Sequence, residues 1–181
     1  MKKPTTSKAQ NKQKSKKKTS TKLTRISFEE QLRMRYWVEN ELMLLLPKLV
    51  KKATSYELSA AIQEHLSIAE QQVICLIHVF DALQERAFGY KAPEMTSLIE
   101  ETDLLFESNA TGYTADAAIV AIWQSILLLE IDSYDKLRED AISLGEVGAV
   151  KFLEEAILAE QNAHNVLMQI ELSAIYSEEE V

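Results

Sequence analysis

VKFLEEAILAEQNAHNVLMQIELSAI, residues 150–175, reads as one long helix. Leu153, Ile157, Glu160, His164 and Leu167 step by four, three, four and three residues, which sets them on one stripe of a 3.6-residue helix. A stripe that faces a core should be apolar, and Glu160 and His164 are not. A carboxylate and an imidazole one turn apart on a buried face are costly unless something binds them, and a metal ion is the usual partner.

The same break recurs on three other segments. Glu39 shares a stripe with Phe28, Leu32, Leu42, Leu46 and Leu49; Glu70 lies among Ile62, Leu66, Val73, Ile77 and Phe80; Glu130 follows Ile119, Trp123 and Ile126 and precedes Ser133 and Leu137. Taken singly, each glutamate also reads as an edge residue bending out to solvent. Their positions favour an inward cluster. A turn at Thr54 and Ser55 lies midway between Glu39 and Glu70, and Gly145 lies midway between Glu130 and Glu160. Two antiparallel hairpins would each hold two carboxylates at one height, roughly 23 Å from the turn at 1.5 Å per residue. Four inward glutamates at one level are the skeleton of a dinuclear carboxylate site in a four-helix bundle.

Composition supports long helices. Only four glycines and three prolines interrupt 181 residues, and the single Cys75, on an apolar helix, reads as a small buried hydrophobe. Charge is divided sharply. Residues 1–25 hold ten Lys/Arg and no acid, whereas residues 26–181 hold ten bases against 28 acids. The first stretch reads as a disordered basic tail, since it has almost no apolar surface to bury, and residues 26–181 as the folded domain. The tail lacks the apolar segment of a secretory signal, and the longest apolar run, Ala117 to Leu129, is broken by Gln124 and Ser125. A cytoplasmic protein without a membrane segment is expected.

In chain order, Ser27 with Glu30 reads as a capping box that opens a helix to Ala53, with a kink expected at Pro47. Thr54 with Glu57 opens a second helix to Leu83. Residues 84–113 form a long connection with a short helix from Pro93 to Phe106, opened by proline. Thr114 and Asp116 start a third long helix to Leu144, Gly145 and Gly148 make the turn, and the last helix follows. Two hairpins joined by one long crossover give an all-α, ferritin-like four-helix bundle with a short extra helix between helices 2 and 3.

Three stretches, ELMLLLPKLVKKA (41–53), ELSAAIQEHLSIAEQQVICLIHVF (57–80) and EIDSY (130–134), resemble the bacterial ferritin-like family typified by YciE and YciF. The likeness spans residues 30–172. It implies a bundle that is often dimeric, linked with stress responses and of unsettled biochemical activity, with Glu39, Glu70, Glu130 and Glu160 as the site positions. The chain departs from the family pattern at Leu127, where the family tends to have a glutamate, at His164, where it tends to have an acid, and at Trp37, where it tends to have an aspartate. Val73 and Ala163 occupy the places three residues after Glu70 and Glu160 and offer no ligand.

The expected metal ligands are therefore Glu39, Glu70, Glu130, Glu160 and His164, with iron or manganese suited to hard oxygen donors plus one imidazole. By analogy with such bundles Glu70 and Glu130 would bridge, Glu39 and Glu160 would be outer ligands, and any reaction would be redox work on oxygen or peroxide. His65 reads as a core or interface histidine and His78 as a surface one. Two alternatives stand beside this reading: a metal-free structural or stress bundle, to which Leu127 points, and a protein whose lysine tail binds nucleic acid weakly. The resemblance also implies a homodimer.

Overall fold

The computed structural model describes the backbone of residues 7–179 and the side chains of residues 21–170. Five helices follow in order, α1 (Ser7–Lys52), α2 (Tyr56–Ala82), α3 (Pro93–Glu107), α4 (Gly112–Leu144) and α5 (Val147–Glu179), with no strand among the described residues. Cross-helix pairs fix their directions. Arg25 reaches Glu146, Gln31 reaches Asp140 and the backbone of Thr54 reaches Asp116, so α1 and α4 run antiparallel. His65 and Gln72 climb α2 beside Trp123 and Tyr134 of α4, so those two run parallel, as a long crossover requires. The fold is the ferritin-like bundle that the helix pattern implied.

Several boundaries differ from the expectation, each for a local reason. Helix α1 passes through Ser27 without a break, and Ser27 Oγ instead accepts from Gln31 Nε2 at 2.7 Å inside the helix. The lysine-rich stretch from Ser7 onward is helical in continuity with the bundle helix, since Lys, Gln and Ala are good helix formers. Residues 1–6 of the expected disordered tail lie outside the described residues. The cap of α2 is Ser55, one residue after the expected Thr54, and its hydroxyl accepts from the Leu58 N–H at 3.2 Å. Asp116 does not open α4, which begins at Gly112; its carboxylate accepts from the N–H groups of Thr54 and Ser55 at 2.7 and 2.8 Å, tying the first turn to α4. The last helix runs further at both ends than residues 150–175. Gly145 closes α4 with φ 76°, the left-handed geometry that glycine takes without strain.

The crossover is held onto α1. Tyr90 N–H donates to the Arg33 carbonyl at 3.2 Å, and the Arg33 guanidinium lies 4.7 Å from the Phe88 ring centre. At Gly89 the chain comes so close that a Cβ would meet Trp37 Cβ at 2.6 Å. Helix α4 is long and apolar enough, by length and composition, to cross a membrane, where Gln124 and Ser125 were expected to break the run. The same composition serves a helix at the centre of a bundle, and Ile119, Trp123, Ile126 and Leu127 are fully buried there.

Two apolar clusters fill the interior. One gathers Leu42, Leu46, Ile62, Trp123 and Leu127 toward the α1–α2 turn, and the other Phe28, Leu32, Phe80, Leu137 and Leu153 toward the α4–α5 turn. The polar layer lies between them.

Candidate functional site

Each long helix sends side chains into this layer because its buried stripe is interrupted by polar residues. On α1 the stripe runs Phe28, Leu32, Arg35, Glu39, Leu42; on α2 it runs Leu58, Ile62, His65, Ala69, Gln72, Leu76. Helix α4 contributes Glu130 and Tyr134, and α5 contributes Glu160, all fully buried. Three of the four expected glutamates, Glu39, Glu130 and Glu160, thus come together. Glu70 does not. It is exposed, because the buried face of α2 is rotated by one residue from the expected stripe and carries Ala69 inward. His164 is only half-buried, with Ala163 taking the inner place on α5. The imidazole of the layer comes from His65, and His78 is exposed as expected.

Arg35 sits at the centre of the charge balance. Its Nη2 donates to Glu130 Oε1 at 2.9 Å, its Nε lies 3.2 Å from Glu39 Oε1, and the guanidinium is 4.9 Å from the Tyr134 ring centre. Burial disfavours its charge, but the anionic groups around it, Glu130 among them, more than compensate and hold it protonated. Burial pushes Glu39 well above the usual carboxylate range despite Arg35. Glu130 is also raised, by burial and by the neighbouring Glu160 charge. Glu160 is the exception: burial would raise it, yet hydrogen bonds from His65 and Gln72 together with the Arg35 charge bring it below the usual range.

Hydrogen counting assigns the protons. Gln72 Nε2 donates to Glu160 Oε1 at 2.6 Å, which turns Gln72 Oε1 toward Tyr134 Oη at 2.8 Å. The same hydroxyl lies 2.6 Å from Glu39 Oε1. One hydroxyl hydrogen cannot serve two acceptors. Both contacts are satisfied if Glu39 is a carboxylic acid donating to Tyr134, which then donates to Gln72; the raised affinity of Glu39 for a proton agrees. At the other end, Trp123 Nε1–H donates to His65 Nδ1 at 2.8 Å. That takes the Nδ1 lone pair and leaves the ring proton on Nε2, which faces Glu160 Oε2 at 3.0 Å and Glu130 Oε2 at 3.1 Å. Burial would lower the His65 pKa, and the two carboxylates reverse this and push it up to about 10. The indole opposes a second ring proton, because Nδ1–H would then point at another N–H. The short indole contact therefore holds the ring neutral against the pull of the two carboxylates.

His65, Glu130 and Glu160 offer one ligand atom each, all within 4.8 Å of one another, a donor set compatible with a carboxylate–histidine metal site. A dinuclear centre does not fit. The Arg35 guanidinium already pairs with Glu39 and Glu130, Glu70 is outside the layer, Leu127 is buried in the apolar core, and Ser133 bonds the Leu129 carbonyl of its own helix. A single ion on the three-residue set would need the His65 Nε2 lone pair, and the Trp123 contact leaves a proton on that nitrogen.

Fold and layer together define a ferritin-like bundle protein with an arginine-balanced carboxylate core. The family model described as "Domain of unknown function (DUF892)" matches residues 24–178, and the chain belongs to that family. It is 31% identical over 127 residues to Protein YciF of Escherichia coli (strain K12), which covers 70% of this chain and 76% of that protein. Among solved structures it is similar to the E. coli stress protein YciF, with TM-score 0.80 and 27% identity over 84% of this chain and 97% of that one. It is also similar to YcfI, a putative structural protein from Rhodopseudomonas palustris, with TM-score 0.75 and 31% identity over 80% and 92%. The expected kinship with the YciE and YciF family holds.

Proposed function

We propose that this protein is a stress-associated structural bundle whose interior carboxylates are balanced in part by its own arginine and in part by a proton on Glu39, with no redox metal centre. One observation carries the reading: the Arg35 guanidinium sits against both Glu39 and Glu130, where a dinuclear bundle would place cations. The E. coli relative described as a stress protein and the R. palustris relative described as a putative structural protein support the same direction. A buried network of this kind need not add stability over an apolar core; its use is to hold four helices in one register.

The test is metal content. Protein incubated anaerobically with Fe²⁺ or Mn²⁺ and desalted should retain far less than one ion per chain and melt at an unchanged temperature. One ion per chain with a raised melting temperature would overturn the proposal in favour of a second reading, a mononuclear iron or manganese site on His65, Glu130 and Glu160 that their convergence supports. In that case Trp123 must turn away from His65.

The basic arm adds a second proposal, weak polyanion binding without sequence preference. Its support is that α1 carries the basic stretch as a helical extension of the bundle, from Ser7, while the 28 acids of residues 26–181 limit affinity by repulsion. If six of the arm's charges engage duplex DNA, the salt slope should be roughly −5 on a log–log scale. Equal binding by the full chain and by a chain starting at Ile26 would remove the arm from this role. A homodimer and a cytoplasmic location complete the proposal, with sedimentation and cell fractionation as their tests.

A further inference from the structure

A cleft of about 290 Å³ opens between α1 and α4 beside the start of α3. Its walls include Met34, Val38 and Leu129, and Arg35 also lines it. Arg35 is 2% exposed, and its Nη1 has no hydrogen-bond partner although Nη2 is held by Glu130. A buried guanidinium nitrogen needs an acceptor, and an oxygen placed in the cleft that Arg35 lines would supply one. We propose that this cleft is a binding site for a small uncharged molecule that presents a carbonyl-type oxygen to Arg35 and an apolar body to Met34, Val38 and Leu129.

Charge selects an uncharged ligand. Arg35 is already matched by Glu130 behind it, and Glu160 adds a further anion to the layer. At the mouth Lys136 is paired with Asp132 at 2.6 Å, and Glu94 stands nearby as an additional acid. A carboxylate or phosphate would therefore meet one neutralised arginine and an excess of anions. Size selects a compact body: the space is about twice the roughly 150 Å³ apolar cavity that accepts benzene. An aromatic or short aliphatic amide or ketone fits both limits.

The inference rests on the metal-free reading of the layer, since an ion there would draw Glu130 away from Arg35; the metal assay and the binding assay therefore fail separately. The probes are benzamide, benzoate and toluene, close in shape and differing in acceptor and charge. Saturation-transfer NMR with the full chain, together with the Met34 methyl resonance, reports occupancy. Benzamide should bind, with benzoate and toluene each roughly tenfold weaker or worse, the scale of one lost hydrogen bond to a charged group. Ala92→Leu, which fills the cleft wall from the α3 cap and leaves Arg35 alone, should abolish benzamide binding in a protein that still unfolds cooperatively, at a somewhat lower temperature because the site is mostly buried. Arg35→Lys should reduce benzamide toward the toluene level. Equal binding of benzamide and benzoate, no binding of benzamide, or benzamide binding that survives Ala92→Leu would each overturn the assignment.

Discussion

The two hairpins differ in how openly they declare their interior. On α4–α5, Glu130 and Glu160 are lone carboxylates on strongly apolar stripes, and both are fully buried in the layer. On α1–α2, Glu39 is buried but shares its stripe with Arg35, while α2 hides His65 and Gln72 and exposes Glu70. The α1–α2 hairpin, first in the chain, supplies the groups that neutralise the α4–α5 hairpin, the second. A bundle can thus carry carboxylates on one side and their counter-cation and amide on the other, so neither hairpin is interpretable alone.

Removing the counter-cation should have the largest effect. Arg35→Met leaves Glu130 buried without its partner, and breaking a buried pair from one side costs about 3–5 kcal/mol. Chemical denaturation should show that loss, and the double variant Arg35→Met/Glu130→Gln should recover much of it. A single Arg35→Met variant as stable as the wild type would mean that the first hairpin does not neutralise the second.

Gln72 is the next link, because it joins Tyr134 of α4 to Glu160 of α5 from α2. Gln72→Leu keeps the volume but strands two buried partners, at about 1–3 kcal/mol for an unsatisfied group. Val73, its neighbour and the residue that the expected stripe placed inward, is only half-buried, so Val73→Ala should cost less. The reverse order in denaturant midpoints would put the α2 face back where the stripe reading had it.

These contrasts show what was legible. The helix count, the long crossover and the level of Glu39, Glu130 and Glu160 followed from apolar periodicity, which is strong when one polar residue breaks an otherwise greasy stripe. On α2 two adjacent stripes compete. Ile62, Leu66, Val73, Ile77 and Phe80 form one, and Leu58, Ile62, His65, Ala69, Leu76 and Val79 the other, a rotation of one residue apart. Ala69 and Gln72 make the true face look weaker, because alanine is neutral in such a count and glutamine opposes it. Arg35 is legible in principle: on the stripe Phe28, Leu32, Glu39, Leu42 the step from Leu32 to Glu39 spans seven positions, and Arg35 divides it into three and four. A buried arginine is rare unless paired, and its partner Glu130 lies on another hairpin, so the α1 stripe alone does not single it out. Tyr134 in place of Ser133 is the same one-residue ambiguity on α4.

The protonation of Glu39 gives a smaller, pH-dependent effect. Its folded-state pKa is raised by burial, so the unfolded chain releases this proton first as pH rises. Its stabilising contribution is complete below the unfolded value near 4.3 and is lost as pH climbs toward the folded value. Glu39→Gln keeps the donor to Tyr134 and has no proton to lose. It should match the wild type in acid and gain on it above that value, by up to about 1.4 kcal/mol per pH unit until the folded pKa is reached. Parallel stability curves for the two proteins from pH 4 to 8 would show that Glu39 is ionised in the bundle and that Arg35 balances it as a true ion pair.

The smallest effect belongs to the two positions that periodicity placed inward and the bundle leaves outside the layer. Glu70 is exposed on α2, and His164 is half-buried on α5 with Ala163 inside it. Exposed substitutions away from caps, cores and networks change stability little, since water replaces whatever the side chain met. Glu70→Gln and His164→Gln should therefore melt with the wild type within the scatter of repeat measurements, singly and together, and neither should alter metal retention. The comparison is sharp because Gln72, two residues from Glu70, is expected to be costly to change while Glu70 itself is not. If Glu70→Gln destabilised the protein as much as Gln72→Leu, the polar layer would have to extend through both faces of α2, and the arginine-balanced account of the core would be incomplete.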